Sequence, residues 1–294
     1  MSTTGLTAND RSMGGWGSGL VGVVIFAGSL PATRVAVAEF SPLYLTSVRS
    51  VIAALLGAAL LLLLRQPAPK RSDVVSLTIV ALGVVVGFPL LTALALQHIT
   101  AAHSIVFIGL LPLATATFGV LRGGERPKPL FWLFSIAGSA TVAGFALVND
   151  GTASLLGDFL MVAAVIACGL GYAEGAVLSR RLGGWQVISW ALLLSLPFMA
   201  AIALVTWPRT FDGITPAAWA GLAYVSVFSM FVGFVFWYRG LALGGSTGVG
   251  QLQLLQPFIG LALAAVLLGE PVAWTMLAAT AVVVVCVAYA RRFA

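Results

Sequence analysis

The chain has 294 residues, of which 60% are hydrophobic and 8% are charged, and its mean hydropathy is +1.07. A soluble protein needs about a quarter of its residues charged to cover its surface, so this composition excludes a soluble enzyme. The formal net charge of +6 lies in short segments between apolar stretches, where positive residues set membrane topology and do not indicate nucleic-acid binding. The two cysteines, Cys168 and Cys286, lie inside apolar stretches and do not form a disulfide framework.

Residues 1–14 are polar, and we expect them to form a short cytoplasmic tail. Ten apolar stretches follow, each of about 20 residues, which is the length of helix that crosses a hydrocarbon core of about 30 Å. A strand with open edges would leave backbone groups unpaired in lipid, so all ten stretches are predicted to be helices. The predicted spans are roughly Trp16–Val35, Pro42–Leu64, Val74–Gln97, Ala101–Leu121, Leu130–Val148, Leu155–Ser179, Trp185–Trp207, Pro216–Leu241, Gly248–Leu268 and Val272–Tyr289.

The lysines and arginines predict how these spans are oriented. With the N-terminus in the cytoplasm, twelve of the 15 basic residues lie at the cytoplasmic side. Arg34 and Arg209 then lie outside, and Arg49 lies within the second span, where we interpret it as a member of a structural ion pair. Positive residues concentrate on the cytoplasmic side of membrane proteins, so both termini are predicted to be cytoplasmic.

An internal repeat organises the chain. Within the segments Thr100–Pro127 and Gly244–Pro271, three positions match without a gap at an offset of 145 residues, which pairs Pro112 with Pro257, Gly124 with Gly269 and Glu125 with Glu270. We therefore predict two five-helix repeats after the tail, at 15–149 and 150–294, in one transmembrane bundle.

Five spans is an odd number, so the second repeat enters the membrane in the direction opposite to the first. Inverted repeats are the architecture of many secondary transporters, in which two similar gates flank a site at the membrane midplane. The duplication is also compatible with structural inheritance alone. An enzyme would need clustered nucleophiles, paired acids or metal ligands, and nine scattered acidic residues with two histidines do not supply them. No cofactor or metal is predicted.

Polar side chains within the spans are the candidates for a binding site. Gln253 and Gln256 are three residues apart, so their amides project from one face of the ninth span, whereas Gln251 lies on another face. Their alternative role is to form hydrogen bonds between helices. On the eighth span, aromatic residues recur at helical spacing and are predicted to face a cavity or the bundle core: Tyr224, Phe228, Phe231 and Tyr238.

The fourth and sixth spans carry the titratable candidates. His103 and Phe107 lie on one side of the fourth span, and a histidine in such a position more often makes a satisfied interface contact than carries a proton. Glu174 lies in the sixth span near Tyr172, and either carries a proton or pairs with one of three arginines, which are Arg180, Arg181 and Arg239.

The repeat pattern resembles that of a known family. Ten spans in two halves, an arginine in the second span after Ser41-Pro42, and a proline separated by eleven residues from a Gly-Glu pair resemble the drug/metabolite transporter superfamily. More narrowly, Leu255–Ile259 and Leu267–Pro271 are similar to the EamA-type exporters, the group that contains the YddG-like amino-acid exporters. The resemblance implies a cavity between spans one, three, four, six, eight and nine.

The resemblance also implies a function, the export of small metabolites across the bacterial inner membrane by alternating access. Amino acids, including aromatic ones, are the leading substrates; other drug- or metabolite-type solutes and a channel-like facilitator are the alternatives. Proton coupling and downhill facilitation both remain open, with Glu174 as the coupling candidate. The predicted partners are the small-molecule substrate and the lipid bilayer, and the predicted substrate-binding residues are Gln253, Gln256, Tyr224, Phe228, Phe231, His103, Phe107 and Tyr172.

Overall fold

The computed structural model describes residues 8–123, 128–147, 154–244, 250–290 and 292–293, and every regular element within these ranges is helical. The α-helices of the first half are α1 Ala8–Ala27, α2 Ser29–Val37, α3 Pro42–Leu63, α4 Val74–Val80, α5 Phe88–Ala95, α6 Ala101–Ile108, α7 Leu111–Gly123 and α8 Pro129–Leu147. Those of the second half are α9 Leu155–Leu182, α10 Gly184–Val205, α11 Pro216–Ala223, α12 Gly233–Gly244, α13 Gln256–Leu268 and α14 Trp274–Ala290.

These helices form spans of membrane length. Within the described residues, seven helical segments are long and apolar enough to cross a bilayer, at Gly14–Val37, Pro42–Leu63, Arg71–Ala95, Ala101–Leu121, Leu155–Ser179, Gly184–Val205 and Pro216–Gly240. Three shorter apolar helices, Pro129–Val142, Leu252–Leu268 and Trp274–Ala290, occupy the remaining predicted spans. Large apolar side chains such as Leu62, Val205 and Val266 are mostly exposed on the outside of the bundle, as lipid contact requires. The predicted all-α membrane fold is confirmed.

Short sequence signals fix where several helices begin and end. The hydroxyls of Ser41, Thr100 and Thr215 each accept a hydrogen bond from a backbone N–H three residues later, which caps α3, α6 and α11. Proline follows two of these caps, at the first helical position, where its missing N–H costs nothing. Gly269 ends α13 in the left-handed region, with φ of 63°.

Two spans contain a π-helical segment at equivalent places in the two halves. Ala81–Gly87 lies between α4 and α5, and Tyr224–Val232 lies between α11 and α12. In the first, the N–H of Phe88 donates to the carbonyl of Gly83; in the second, Gly233 donates to Phe228. These two i→i−5 hydrogen bonds are related by 145 residues, the offset of the sequence repeat. The repeat therefore extends from the sequence into the backbone hydrogen bonding.

Small residues bring spans from the two halves into close contact. A Cβ atom added to Gly83 would lie 2.5 Å from the carbonyl oxygen of Ala167 and 3.0 Å from the Cα of Gly171. A Cβ atom added to Gly240 would lie 2.6 Å from the backbone nitrogen of Gly19. Such contacts are typical of membrane helices, which associate through close packing and not through hydrophobic exclusion from water.

Two buried apolar clusters fill the bundle. The first contains Leu45 and Leu96, and the second contains Val80 and Leu192. Tyr172 packs against both clusters and so connects them.

Gly124 and Glu125 of the repeat, Gly248 at the start of the predicted ninth span, and the predicted tail up to residue 7 lie outside the described residues.

Candidate functional site

A small cavity lies between the two halves at the centre of the bundle. Its volume is about 40 Å³, which is room for about three water molecules. The described residues that line it come from both halves: Phe26, Ser29, Leu30, Arg49, Val84, Phe88, Pro89, Ile108, Leu111, Cys168, Tyr172, Ser229, Met230, Phe234 and Gln256. The site therefore combines apolar walls with a few polar groups.

Arg49 is the charged residue among those that line the cavity. Its side chain is 5% exposed, and Nη2 donates to the Ser229 hydroxyl at 3.3 Å. The Ser229 hydroxyl is in turn 2.7 Å from that of Ser29. The Nε of Arg49 has no hydrogen-bond partner, and no carboxylate of the described residues forms an ion pair with this guanidinium. The interpretation of Arg49 as an ion-pair member is wrong, because the second span turns this residue into the cavity.

Gln256 lines the cavity, whereas Gln253 is not among the lining residues. Both side chains are 9% exposed, and each has an amide atom without a hydrogen-bond partner, Oε1 of Gln256 and Nε2 of Gln253. The ninth span begins with a 3₁₀ segment over Gly250–Leu255, so Gln253 precedes the α-helix that Gln256 begins. The side chain of Gln251 lies outside the described part of the structure.

Three of the four aromatic residues predicted to share one face of the eighth span lie in the π segment, and Tyr238 lies in α12, buried in the second apolar cluster. Phe228 is 47% exposed on the outside of the bundle, and Tyr224 stacks on it with ring centroids 5.6 Å apart. The Tyr224 hydroxyl donates to the carbonyl of Ile25 at 2.8 Å, and Phe231 packs in the apolar cluster near Val80. The i→i−5 bonding widens the helical turn, so spacing that shares one face of an α-helix diverges here. This span instead lines the cavity with Ser229, Met230 and Phe234.

His103 lies outside the central cavity and pairs with a residue that the sequence analysis did not single out. Its Nε2 is 2.8 Å from Oδ1 of Asp158, and the two residues are 0% and 4% exposed. The rings of Phe145 and Phe107 lie 4.6 and 5.9 Å from the imidazole. Asp158 stands in the first turn of α9, where an acidic residue is expected at a membrane surface. Its burial follows from the packing of the sixth span against the fourth.

Phe107 also lines a second, lateral cleft between α7, α8 and α9. This cleft has a volume of about 1050 Å³, and the surface around it is mostly apolar, with Phe118, Trp132 and Ile136 among its walls. Among the described residues, the cleft shares no lining residue with the central cavity and is therefore a separate feature.

The sixth span contributes Tyr172 to the cavity and Glu174 to a contact nearer one end of the bundle. Tyr172 packs edge-on against Phe234, with ring centroids 6.1 Å apart. Glu174 is 5% exposed, and its Oε1 accepts a hydrogen bond from the Ser76 hydroxyl at 2.6 Å. Of the predicted site residues, the structure thus places Tyr172 and Gln256 together at the cavity.

One end of the bundle, the Glu270 end, is closed by contacts between the halves. The carboxylate of Glu270 accepts hydrogen bonds from the first N–H groups of α6, at Ala101 (3.1 Å) and Ala102 (2.7 Å). The Nε of Arg34 lies 4.0 Å from the same carboxylate. A carboxylate at a helix N-terminus satisfies N–H groups that have no partner within the helix. Glu270 therefore joins the end of the ninth span to the start of the fourth.

A second contact at the Glu270 end involves Glu39, whose carboxylate accepts from the backbone N–H of Thr215 at 2.6 Å and from its hydroxyl at 2.8 Å. The opposite end, the Arg181 end, is also closed between the halves. Arg181 forms a salt bridge with Asp73, and the side-chain amide of Gln186 donates to Gln66 at 3.2 Å. The repeat in the sequence draws attention to Glu270. It does not predict these pairings, because each of them joins positions far apart in the chain.

A comparison with known proteins identifies the fold. The model of the EamA-like transporter family matches the chain twice, over residues 14–148 and 155–291. The chain belongs to the EamA-like transporter family. An uncharacterized transporter of Bacillus subtilis (strain 168), YdeK, is 62% identical over 285 residues, which cover 97% of this chain and 99% of that protein.

More distant relatives are transporters as well. An uncharacterized transporter of Archaeoglobus fulgidus is 26% identical over 241 residues, 80% of this chain and 82% of that protein. YvbV, an uncharacterized transporter of Bacillus subtilis, is 23% identical over 276 residues, 89% of this chain and 86% of that protein. One solved crystal structure is similar with a TM-score of 0.66 at 19% identity, covers 97% of this chain and 100% of its own, and supports the fold. The predicted assignment to a transporter and not to an enzyme is confirmed.

Proposed function

We propose that this EamA-family transporter exports small metabolites by alternating access, with amino acids, including aromatic ones, as the leading substrates. The central cavity supports this proposal, because residues of both halves line it and contacts between the halves close the bundle on either side of it. In the inverted-repeat mechanism, the two halves separate first at one end and then at the other around a site that stays in the middle.

The proposed direction of transport depends on the orientation. The Arg181 end carries most of the basic residues, including Arg65, Lys70 and Arg71, so we propose that it faces the cytoplasm and that the Glu270 end faces outwards. Cysteines introduced at Arg71 and Asp212 test this orientation in intact bacterial cells. Asp212 is expected to react with a membrane-impermeant thiol reagent and position 71 to remain unlabelled; the reverse pattern would reject the proposal.

Recognition is proposed to combine apolar walls with a polar amide. Phe26, Phe88 and Phe234 supply the apolar surface, and Gln256 presents an oxygen without a partner. An amide both donates and accepts hydrogen bonds, which suits a substrate with an amino and a carboxyl group. A volume of about 40 Å³ is too small for an amino acid, so binding requires the halves to move apart.

The export proposal is tested by counterflow in proteoliposomes that contain the purified full-length protein. Unlabelled amino acid inside the vesicles should drive uptake of the labelled compound against its gradient, which a channel does not do. Gln256→Leu should weaken apparent affinity by about tenfold at most, since it removes one uncharged hydrogen bond. Thr280→Val is the matched control, because Thr280 is equally buried, has an unpartnered hydroxyl and does not line the cavity.

Proton coupling is proposed to involve the His103–Asp158 pair, with Glu174 as the alternative site. Asp158 and His103 lie on different spans of different halves, so a change in their protonation acts directly on the contact between α6 and α9. The pH dependence of transport distinguishes the candidates. If the pair carries the proton, His103→Gln abolishes the pH dependence and Glu174→Gln retains it; the opposite result assigns coupling to Glu174.

A further inference from the structure

We infer that Arg49 is the anchor for a carboxylate of the transported substrate. The inference rests on the proposed export function, since it specifies the chemical group that the central cavity would hold. Arg49 is buried inside the bundle, with 5% of its surface exposed. A guanidinium remains charged in proteins, so this residue brings a permanent positive charge into the bundle.

Among the described residues, no carboxylate balances the charge of Arg49. Its nearest hydrogen-bond partner is the neutral hydroxyl of Ser229, at the long distance of 3.3 Å, and Nε has no partner among the described residues. Buried charges in stable proteins are paired or bind an ion. An arginine used only for packing would be expected to have a carboxylate partner, and none of the ion pairs between described residues includes it.

The orientation of the guanidinium favours a carboxylate. Nε and Nη2 form one edge of the planar group, which is the edge that binds both oxygens of a carboxylate in two parallel hydrogen bonds. On this edge, Nε is unoccupied and Nη2 has only the long contact to Ser229. The Ser229 and Ser29 hydroxyls, 2.7 Å apart, lie beside it as further donors.

The rest of the cavity lining narrows the class of anion. No second basic residue accompanies Arg49 among the described residues that line the cavity. A phosphate group carries up to two negative charges, so a single guanidinium suits a monovalent carboxylate better. The remaining lining is mainly apolar, including Phe26, Phe88 and Phe234, and fits an organic acid with an apolar body.

The lining also contains a group for an amine. Gln256 is 9% exposed, and its Oε1 has no hydrogen-bond partner. An ammonium group is a donor without acceptors, so it requires such an oxygen. Arg49 and Gln256 lie on spans of different halves, and a substrate with both groups would therefore contact both halves.

The test uses four compounds that share a phenylethyl body and differ in their charged groups. These are L-phenylalanine, 3-phenylpropionate without the amine, L-phenylalaninamide without the carboxylate, and 2-phenylethylamine. Thermal unfolding of the full-length protein in detergent reports their binding, and inorganic phosphate is included to detect a general anion site. We expect the two acids to stabilise the wild-type protein at concentrations at least about tenfold lower than the amide, the amine and phosphate.

Arg49→Gln should weaken binding of both acids roughly thirtyfold or more, because a buried charge pair loses one partner. Arg49→Lys should restore part of the binding, since lysine keeps the positive charge but lacks the planar edge that binds both carboxylate oxygens. Thr46→Val is the control on the same helix, because Thr46 is buried with an unpartnered hydroxyl and does not line the cavity. If Arg49→Gln does not fold, Arg49→Lys and the comparison of acids with the amide in the wild-type protein still decide the question.

Three results would overturn the inference: equal binding of acids and amide, an unchanged preference for acids in Arg49→Gln, or no carboxylate binding that depends on Arg49. Stronger binding of phosphate than of the acids would overturn the assignment to a carboxylate. Failure of the export proposal has a different signature. If no amino acid is transported but 3-phenylpropionate still binds through Arg49, amino-acid export is rejected and the carboxylate anchor stands.

Discussion

Arg49 and His103 are both buried basic side chains inside the bundle, but their surroundings differ. His103 meets the carboxylate of Asp158 at 2.8 Å and is packed by aromatic rings. Arg49 meets serine hydroxyls and a small cavity, with Nε unpartnered. The His103–Asp158 contact is made within the protein and contributes to its stability, whereas Arg49 has no carboxylate partner among the described residues and is available to a ligand. Substitutions at the two sites are therefore expected to change the free energy of unfolding in different ways.

The largest loss of stability is expected when the His103–Asp158 pair is broken. Asp158→Leu should lower the free energy of unfolding by about 3 kcal/mol, because it removes one partner of a buried pair. Urea or thermal unfolding of the full-length protein in detergent measures the loss. Asp158→Asn is the control, since its amide oxygen still accepts a hydrogen bond from the imidazole. This variant should lose less than half of the free energy of unfolding that Asp158→Leu loses. Equal stability of Asp158→Leu and the wild-type protein would show that the pair is not structural.

A substitution of Arg49 is expected to change stability in the opposite direction. Arg49→Met should raise the free energy of unfolding of the ligand-free protein by about 1.5 kcal/mol, because an apolar side chain of similar length replaces a buried charge that has no carboxylate partner among the described residues. The same unfolding experiment, without added substrate, measures the change. A loss of stability similar to that of Asp158→Leu would remove the distinction between the two sites.

A smaller loss of stability is expected at Glu270, whose carboxylate lies at one end of the bundle. Glu270→Ala should cost about 1 kcal/mol, because the N–H groups of Ala101 and Ala102 lose their acceptor. Glu270→Gln should cost about half as much, since one oxygen remains to accept from α6. If both Glu270 variants lose as much free energy of unfolding as Asp158→Leu, burial of the charged group would not explain the size of the loss.

The smallest effect is expected for the partly exposed pair at the other end. The Arg181 side chain is 51% exposed, so its salt bridge with Asp73 is screened by solvent. Arg181→Gln should lower the free energy of unfolding by about 0.5 kcal/mol, and less at high salt. Unfolding measured at two salt concentrations provides the check. A loss as large as that of Asp158→Leu, unaffected by salt, would contradict the role of burial in this series.

Sequence patterns that are local predicted most of the fold. The length of each apolar stretch set the spans, because the bilayer requires about 20 residues of helix. Ser41-Pro42 and Thr215-Pro216 marked the starts of the second and eighth spans, where the structure places capped helices. The 145-residue repeat was visible as three matched positions, and the structure adds the paired π segments.

The site depended on information that local patterns do not contain. The partners of His103 and Glu270 are 55 and 168–169 residues away, and only packing brings them together. The face that Tyr224 and Phe228 present was predicted with α-helical spacing, which a π segment changes. Arg49 was expected to be paired because an unpaired buried charge is unfavourable. That expectation would fail wherever a protein reserves the charge for a ligand, as we propose here.

The paired π segments also bear on the history of the chain. The first is followed by Pro89, which has no N–H to donate, whereas the equivalent position in the second half is Phe234. Proline therefore does not account for both i→i−5 bonds, from Phe88 to Gly83 and from Gly233 to Phe228. A feature kept at the same place in both copies, despite different residues, is most simply inherited from a common ancestor. If the two halves arose by duplication of one five-helix unit, the π turn was already present in that unit when it had to assemble with a second copy of itself.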